Sequence, residues 1–378
     1  MLVNLLVLMT LFVAYSNGAN DNFKGVATLY GSNTTDFKTA LWIGTVVTLA
    51  GCVSSVFLAD ALVQAFSGKG LVPNVVAGSP NFLVAVAAGA ASTVMLATVL
   101  GFPISTTHAL TGALVGAGFV AAGSELNLSV LGGAFFLPLL VSPLVSILLT
   151  MPLYKLAHSA STKFGISKET CVCIGPRQFV PVSELAFDAG SATYTKAGAP
   201  SGMSVTIGTT KDCVEKYNGQ LLGLTAQGLV DGVHYLSGAA VSFARGLNDT
   251  PKIVGLLLIV RAFDIKISML AIALAMAIGG LVNARKVAET MSKKISKMND
   301  GQALTANLVT AFMVIFASRL GMPVSTTHVS VGAITGVGII NGTADKSVIG
   351  KILLSWVLTL PIAAAIAATA FWLLRVVE

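Results

Sequence analysis

Two short polar strings interrupt long apolar runs, and each occurs twice. The first is Ser-Thr-Thr-His, at residues 105–108 in GFPISTTHALTGALVGAG and at 325–328 in GMPVSTTHVSVGAITGVG. The two windows agree at 10 of 18 positions, too many for chance resemblance between apolar segments. Gly-x-Pro stops a helix, and Ser or Thr caps the next one. A helix starting at these hydroxyls offers free backbone N–H groups, the positive dipole end and three hydroxyls, an anion site that needs no arginine. Ser105, Thr106, Thr107, Ser325, Thr326 and Thr327 are therefore the candidate anion donors. A single Ser-Thr-Thr would more simply bond its own helix carbonyls; the duplication beside Gly-x-Pro favours a site. His108 and His328 follow at i+3, but no acid in the motif could orient a Ser–His nucleophile. Both are read as supporting residues.

The second string is Gly-x-Asn-Asp-x-x-Lys, in NGANDNFKG and ARGLNDTPK. Asn20, Asp21 and Lys24 match Asn248, Asp249 and Lys252. A carboxylate among apolar neighbours is a functional candidate by default. The lysine three residues on shares its helix face and is a supporting, charge-neutralising partner. The carboxylate and amide oxygens of Asn-Asp are hard ligands, suited to an alkali cation such as sodium. An aspartate beside an anion is repelled, unless cations stand between them or the anion brings a proton that it shares with the carboxylate. Both routes stay open at this stage.

These motifs must be positioned by membrane segments. Of 378 residues 54% are hydrophobic and 10% charged, against about a quarter charged in soluble domains. Apolar runs at 2–16, 40–63, 82–100, 103–122, 130–156, 221–244, 252–263, 267–284, 303–319, 321–341 and 347–374 are the candidate segments. The first lacks a basic start and ends in a polar motif, so a retained segment is expected and not a signal peptide. The net charge of +7 reads as basic loops on the cytoplasmic side, since no aromatic-interleaved basic patch suggests nucleic acid. Cys171, Cys173 and Cys213 lack a fourth zinc ligand at sensible spacing, and no P-loop or HExxH pattern is present.

The motif pairs lie 228 and 220 residues apart and recur in the same order, which marks an internal repeat. The loop ARKVAETMSKKISKMND carries five basic residues, whereas its counterpart VQAFSGKGLVPNVVAGSPN carries one. Equivalent loops on opposite faces predict inverted topology. The expected fold is an all-α polytopic membrane protein, with discontinuous or re-entrant half-helices around a central anion site. Its parts are an N-terminal repeat over 1–157, a polar linker over 158–220 and a C-terminal repeat over 221–378. Gly112-x-x-x-Gly116 and Gly332-x-x-x-Gly336 are expected to pack helices within it.

At these residues the sequence resembles the inorganic phosphate transporter (PiT) family. GANDNFKG and GLNDTPK are similar to that family's duplicated signature, and PISTTH and PVSTTH to its paired hairpin motif. The resemblance runs through both halves and implies a phosphate site at Asn20, Asp21, Ser105, Thr106, Thr107, Asn248, Asp249, Ser325, Thr326 and Thr327. It also implies external termini and a cytoplasmic linker in a multi-pass protein of the plasma membrane. One departure stands out: Asn-Phe-Lys-Gly follows the first Asn-Asp, where many members have Val-Ala-Asn. The expected function is sodium-coupled phosphate symport by alternating access, with Asn20, Asp21, Asn248 and Asp249 holding sodium and no further cofactor. Proton coupling and sulfate transport are the alternatives, and an intramembrane phosphohydrolase the least favoured. A homodimer is left open.

Overall fold

The computed structural model describes residues 2–58, 62–63, 66–68, 70–163, 170–176, 203–209, 222–258 and 265–377. The chain forms two compact units, residues 156–233 and the remainder. Within the smaller unit, β1 (Thr170–Pro176) is flanked by β2 (Met203–Thr209) and β3 (Leu222–Thr225) in an antiparallel sheet of order β2-β1-β3. Val172 pairs with both Ile207 and Leu224. The sequence reading took 158–220 as a polar linker and 222–225 as the start of a membrane segment. Cys213 and the side chains of Cys171 and Cys173 lie outside the described residues.

The larger unit is built from long helices. These are α1 (Leu2–Asp21), α2 (Phe37–Leu58), α3 (Pro80–Leu100), α4 (Thr106–Ala122) and α5 (Leu137–Lys163). They are followed by α6 (Ala226–Val254), α7 (Ile265–Asn283), α8 (Asp300–Arg319), α9 (Thr326–Asn341) and α10 (Lys346–Val377). The larger unit takes α5 only to Lys155 and α6 only from His234. Among the described residues seven helices are long and apolar enough to cross a membrane. Their outer faces keep large apolar side chains exposed, Trp42, Phe57, Leu140, Phe312 and Trp372 among them, as a lipid-facing surface requires. The helices α4 and α9, of 17 and 16 residues, rise only about 25 Å at 1.5 Å per residue, short of a ~30 Å hydrocarbon core. Each begins at a break and falls short of a full crossing. Asp36 caps α2 through the N–H groups of Thr39 and Lys38, which hold its carboxyl below the usual carboxylate range.

Segments 221–244 and 252–263 are not separate helices. Residues 222–225 are β3, and a single helix α6 runs through the second Asn-Asp motif. Pro251 sits inside that helix only three residues from its end, where a lost backbone bond costs least. A 3-10 turn at Gly255–Leu257 follows, and residues 259–263 lie outside the described set.

Glycines set the closest helix crossings. A Cβ on Gly18 of α1 would stand 1.9 Å from the Met276 carbonyl oxygen of α7, and one on Gly279 of α7 would stand 2.0 Å from the Tyr15 oxygen of α1. The same reciprocal crossing joins α6 and α2: Gly246 meets the Thr48 oxygen at 2.3 Å, and Gly51 meets the Phe243 oxygen at 2.2 Å. Each motif helix thus lies backbone-to-backbone against a helix from the other half. Gly112 and Gly116 bring α4 onto Leu360 and Ala364 of α10, while Gly332 and Gly336 bring α9 onto Pro143 and Ile147 of α5. Close approach of backbones is the use of small residues in helix packing without a water-driven hydrophobic effect.

Candidate functional site

Both Ser-Thr-Thr-His motifs fold alike. Gly101 and Gly321 adopt left-handed φ of 79° and 68°, which ends the preceding helix. A proline two residues on bars helix from the residue before it, and the chain runs extended to Ser105 and Ser325. Each serine then caps its half-helix, Oγ accepting from the His108 or His328 N–H at 3.2 Å. The first-turn N–H groups of α4 and α9 have no intrahelical acceptor, and the extended link leaves the Ile104 and Val324 carbonyls free to accept elsewhere.

The asparagines hold these links. Asn20 donates to the Phe102 oxygen at 3.0 Å and to Thr98 Oγ1 at 2.9 Å, and it accepts from the Ile104 N–H at 3.1 Å. Asn248 donates to the Val324 oxygen at 3.2 Å and accepts from Ser318 Oγ at 3.0 Å. Their amides thus complete the backbone hydrogen bonding that the helix breaks leave open.

Around the two breaks lies a buried polar cluster of Asp21, Lys24, Arg245, Asp249 and Lys252. Lys24 Nζ bonds Asp21 Oδ1 and Thr327 Oγ1, and the Ile104 oxygen at 2.8 Å. Lys252 Nζ mirrors it, with Thr107 Oγ1 and the Val324 oxygen at 2.8 Å and Asp249 Oδ1 at 3.4 Å. Each lysine therefore ties its own half's helix break to the other half's threonine. Thr327 in turn donates to the Ile104 oxygen at 2.8 Å. The two half-helix N-termini meet at one place.

Two residues in or against the cluster were not among the sequence candidates. Arg245, 1% exposed, donates to Asn17 Oδ1 at 2.8 Å, Asn22 Oδ1 at 3.1 Å and Thr48 Oγ1 at 3.3 Å. Its Nε makes no hydrogen bond and stands 3.7 Å from Asp249 Oδ2. Asn17 Nδ2 lies within 3.3 Å of Asp21 Oδ2, Thr106 Oγ1 and Asp249 Oδ2, so it links the two carboxylates. The motif reading did not single out this guanidinium. Its signal was the i,i+4 spacing to Asp249.

The histidines stand beside this cluster. The rings of His108 and His328 meet edge-to-face at 4.5 Å, and His328 stacks on Trp356 at 3.9 Å. His328 Nδ1 lies 2.9 Å from the Leu139 oxygen, and Trp356 Nε1 donates to the Pro103 oxygen at 3.0 Å. The pair thereby braces the first helix break. A cavity of about 400 Å³, lined by Met95, Thr98, Asn283, Arg285 and Lys286, reaches Thr98, the partner of Asn20.

Comparison with known proteins finds relatives along the whole chain. A candidate phosphate permease of Pyrococcus abyssi is 28% identical over 99% of this chain and 98% of its own. The chloroplastic inorganic phosphate transporter 2-1 of Arabidopsis thaliana is 25% identical over 97% of this chain and 71% of its own. The low-affinity inorganic phosphate transporter PitA of Escherichia coli is 37% identical over a shorter stretch, 28% of this chain and 22% of its own. A solved structure, described as the sodium-dependent phosphate transporter, shares the fold, with a TM-score of 0.74 and 21% identity over both whole chains. The chain is a multi-pass membrane transport protein and not an enzyme. Its residues 17–367 match the sequence profile of the phosphate transporter family, and the chain belongs to that family.

Proposed function

We propose that this chain carries inorganic phosphate across the plasma membrane together with a coupling cation, by alternating access to one central site. The observation that carries the reading is the duplicated set of contacts joining two half-helix N-termini around one buried charge cluster. A tetrahedral anion arriving there finds hydroxyls of Thr106, Thr107, Thr326 and Thr327, first-turn N–H groups and the unspent Nε of Arg245. Asn20 and Asn248 position the helix breaks, and Asp21 and Asp249 fix the cations or take a proton from the anion. The halves 1–157 and 221–378 cross the membrane in opposite senses, with 158–220 as a cytoplasmic linker. This orientation is supported by the charge of the loop at 284–300.

Sodium is the coupling ion expected from the Asn-Asp oxygens, and the fold neighbour, named for its sodium dependence, supports it. One observation favours protons instead: the chain's own ammonium groups already sit in both oxygen sets. Phosphate is preferred to sulfate because the relatives are named for phosphate. Labelled phosphate uptake into proteoliposomes, under a sodium or a proton gradient applied separately, tests the reading. One gradient should drive accumulation in the wild type. Asp21→Asn and Asp249→Asn should each lower it about tenfold or more, the effect of roughly 1.4 kcal/mol. No accumulation under either gradient, or uptake blocked by sulfate at equal concentration, would overturn it.

A further inference from the structure

We infer that Lys24 and Lys252 fill the two alkali-cation sites of this transporter with their own ammonium groups, so that it moves phosphate without sodium. The inference rests on the phosphate-transport reading. Each ammonium is held by one carboxylate oxygen, one backbone carbonyl oxygen freed by a helix break and one threonine hydroxyl of the opposite half. That is a hard-oxygen set of the kind that takes a bare cation. A lysine serving only to neutralise its aspartate would need the carboxylate alone. Here both lysines complete the same three-oxygen set, at equivalent positions of the repeat.

Charge leads to the same conclusion. Two carboxylates face three cationic groups, since Arg245 joins the lysines, and the centre carries one formal positive charge before any ion enters. Without the lysines it would carry a negative charge and would need added cations to receive an anion. A tethered ammonium satisfies that need but cannot leave with the substrate. Lys24 and Lys252 sit three residues from their aspartates, and a covalently held nitrogen cannot cross with the substrate as a free sodium ion would; the only ion it can exchange is a proton. With the cation positions filled, the coupling ion left to this centre, whose ionisable groups are Lys24, Lys252, Asp21, Asp249, Arg245, His108 and His328, is the proton.

The test uses the full chain in proteoliposomes and in detergent. Wild-type phosphate uptake, driven by a proton gradient, should be unchanged when sodium is replaced by potassium or choline at fixed pH. The Lys24→Asn/Lys252→Asn double variant should gain sodium dependence, with sodium raising its uptake at least about fivefold, the lower end of coupling between two ligands. Lys24→Arg and Lys252→Arg should remain independent of sodium. A thermal-melting comparison of sodium chloride with potassium chloride keeps the question open to test if transport fails. Sodium should raise the melting temperature of the double variant and leave the wild type unmoved. Wild-type uptake that stops on sodium removal would overturn the inference, as would a folded double variant with no sodium response in melting. Absence of phosphate uptake under every gradient would instead sink the transport reading, and melting would still decide the cation question.

Discussion

Arg245→Met is expected to reduce phosphate uptake more than about a hundredfold, the equivalent of roughly 2.7 kcal/mol. The guanidinium joins three helices, bonding Asn17 of α1, Asn22 just past its end and Thr48 of α2 from its place on α6. Methionine fills similar volume but donates nothing. Asn17 Oδ1 and Asn22 Oδ1 would lose a buried partner, at about 1–3 kcal/mol each. Asp249 would keep Lys252 at 3.4 Å but lose the guanidinium at 3.7 Å, and breaking a buried ion pair costs about 3–5 kcal/mol. The unspent Nε would also be gone from the centre. Arg245→Lys separates these effects, because it keeps the charge but cannot bridge Asn17 and Asn22 with a planar fork. Partial uptake by Arg245→Lys and none by Arg245→Met, both measured per monodisperse protein, is the expected pattern. More than half of wild-type uptake in Arg245→Met would remove the arginine from the site.

The helical membrane architecture was legible in the sequence because the motifs repeat in order and the apolar runs have membrane length. The breaks at Gly101 and Gly321 followed from local chemistry: a left-handed glycine, a proline and a capping serine are nearest-neighbour effects. What joins the halves was not legible. Lys24 reaches Thr327 across 303 residues and Lys252 reaches Thr107 across 145, and no spacing rule pairs such positions. Asn17 and Arg245 escaped for a different reason. They occupy the same place in the two copies, 228 residues apart and just before the motif glycine. A search for identities between repeats passes over a position where the copies differ. The structure shows the two side chains bonded to each other at 2.8 Å, an asymmetry in an otherwise largely duplicated centre. The join between the polar middle and α6 was misjudged because Leu222–Thr225 is apolar enough to pass as the start of a membrane segment, whereas its backbone pairs with β1.

Gly18→Ala and Gly246→Ala are expected to prevent correct assembly, although each adds only a methyl group. The added Cβ would stand 1.9 Å from the Met276 oxygen or 2.3 Å from the Thr48 oxygen, both backbone atoms that no rotamer change can move. Restoring ordinary contact at 3.4 Å would part α1 from α7 by about 1.5 Å, and overpacking of this kind costs about 3 kcal/mol or more when the backbone must give way. Higher intrinsic helix propensity returns only about 1 kcal/mol, so the clash decides the sign. Function should suffer even in protein that survives. Asn17, Asn20 and Asp21 lie within one turn of Gly18, and a shift of about 1 Å in a supporting shell is enough to loosen a site. Size-exclusion profiles and melting temperatures in detergent measure the assembly, with Gly350→Ala as the comparison, since nothing lies within 4 Å of a Cβ there. Gly350→Ala should purify and melt as the wild type does. If Gly18→Ala did the same, the reciprocal crossings would not be what seats the two Asn-Asp motifs.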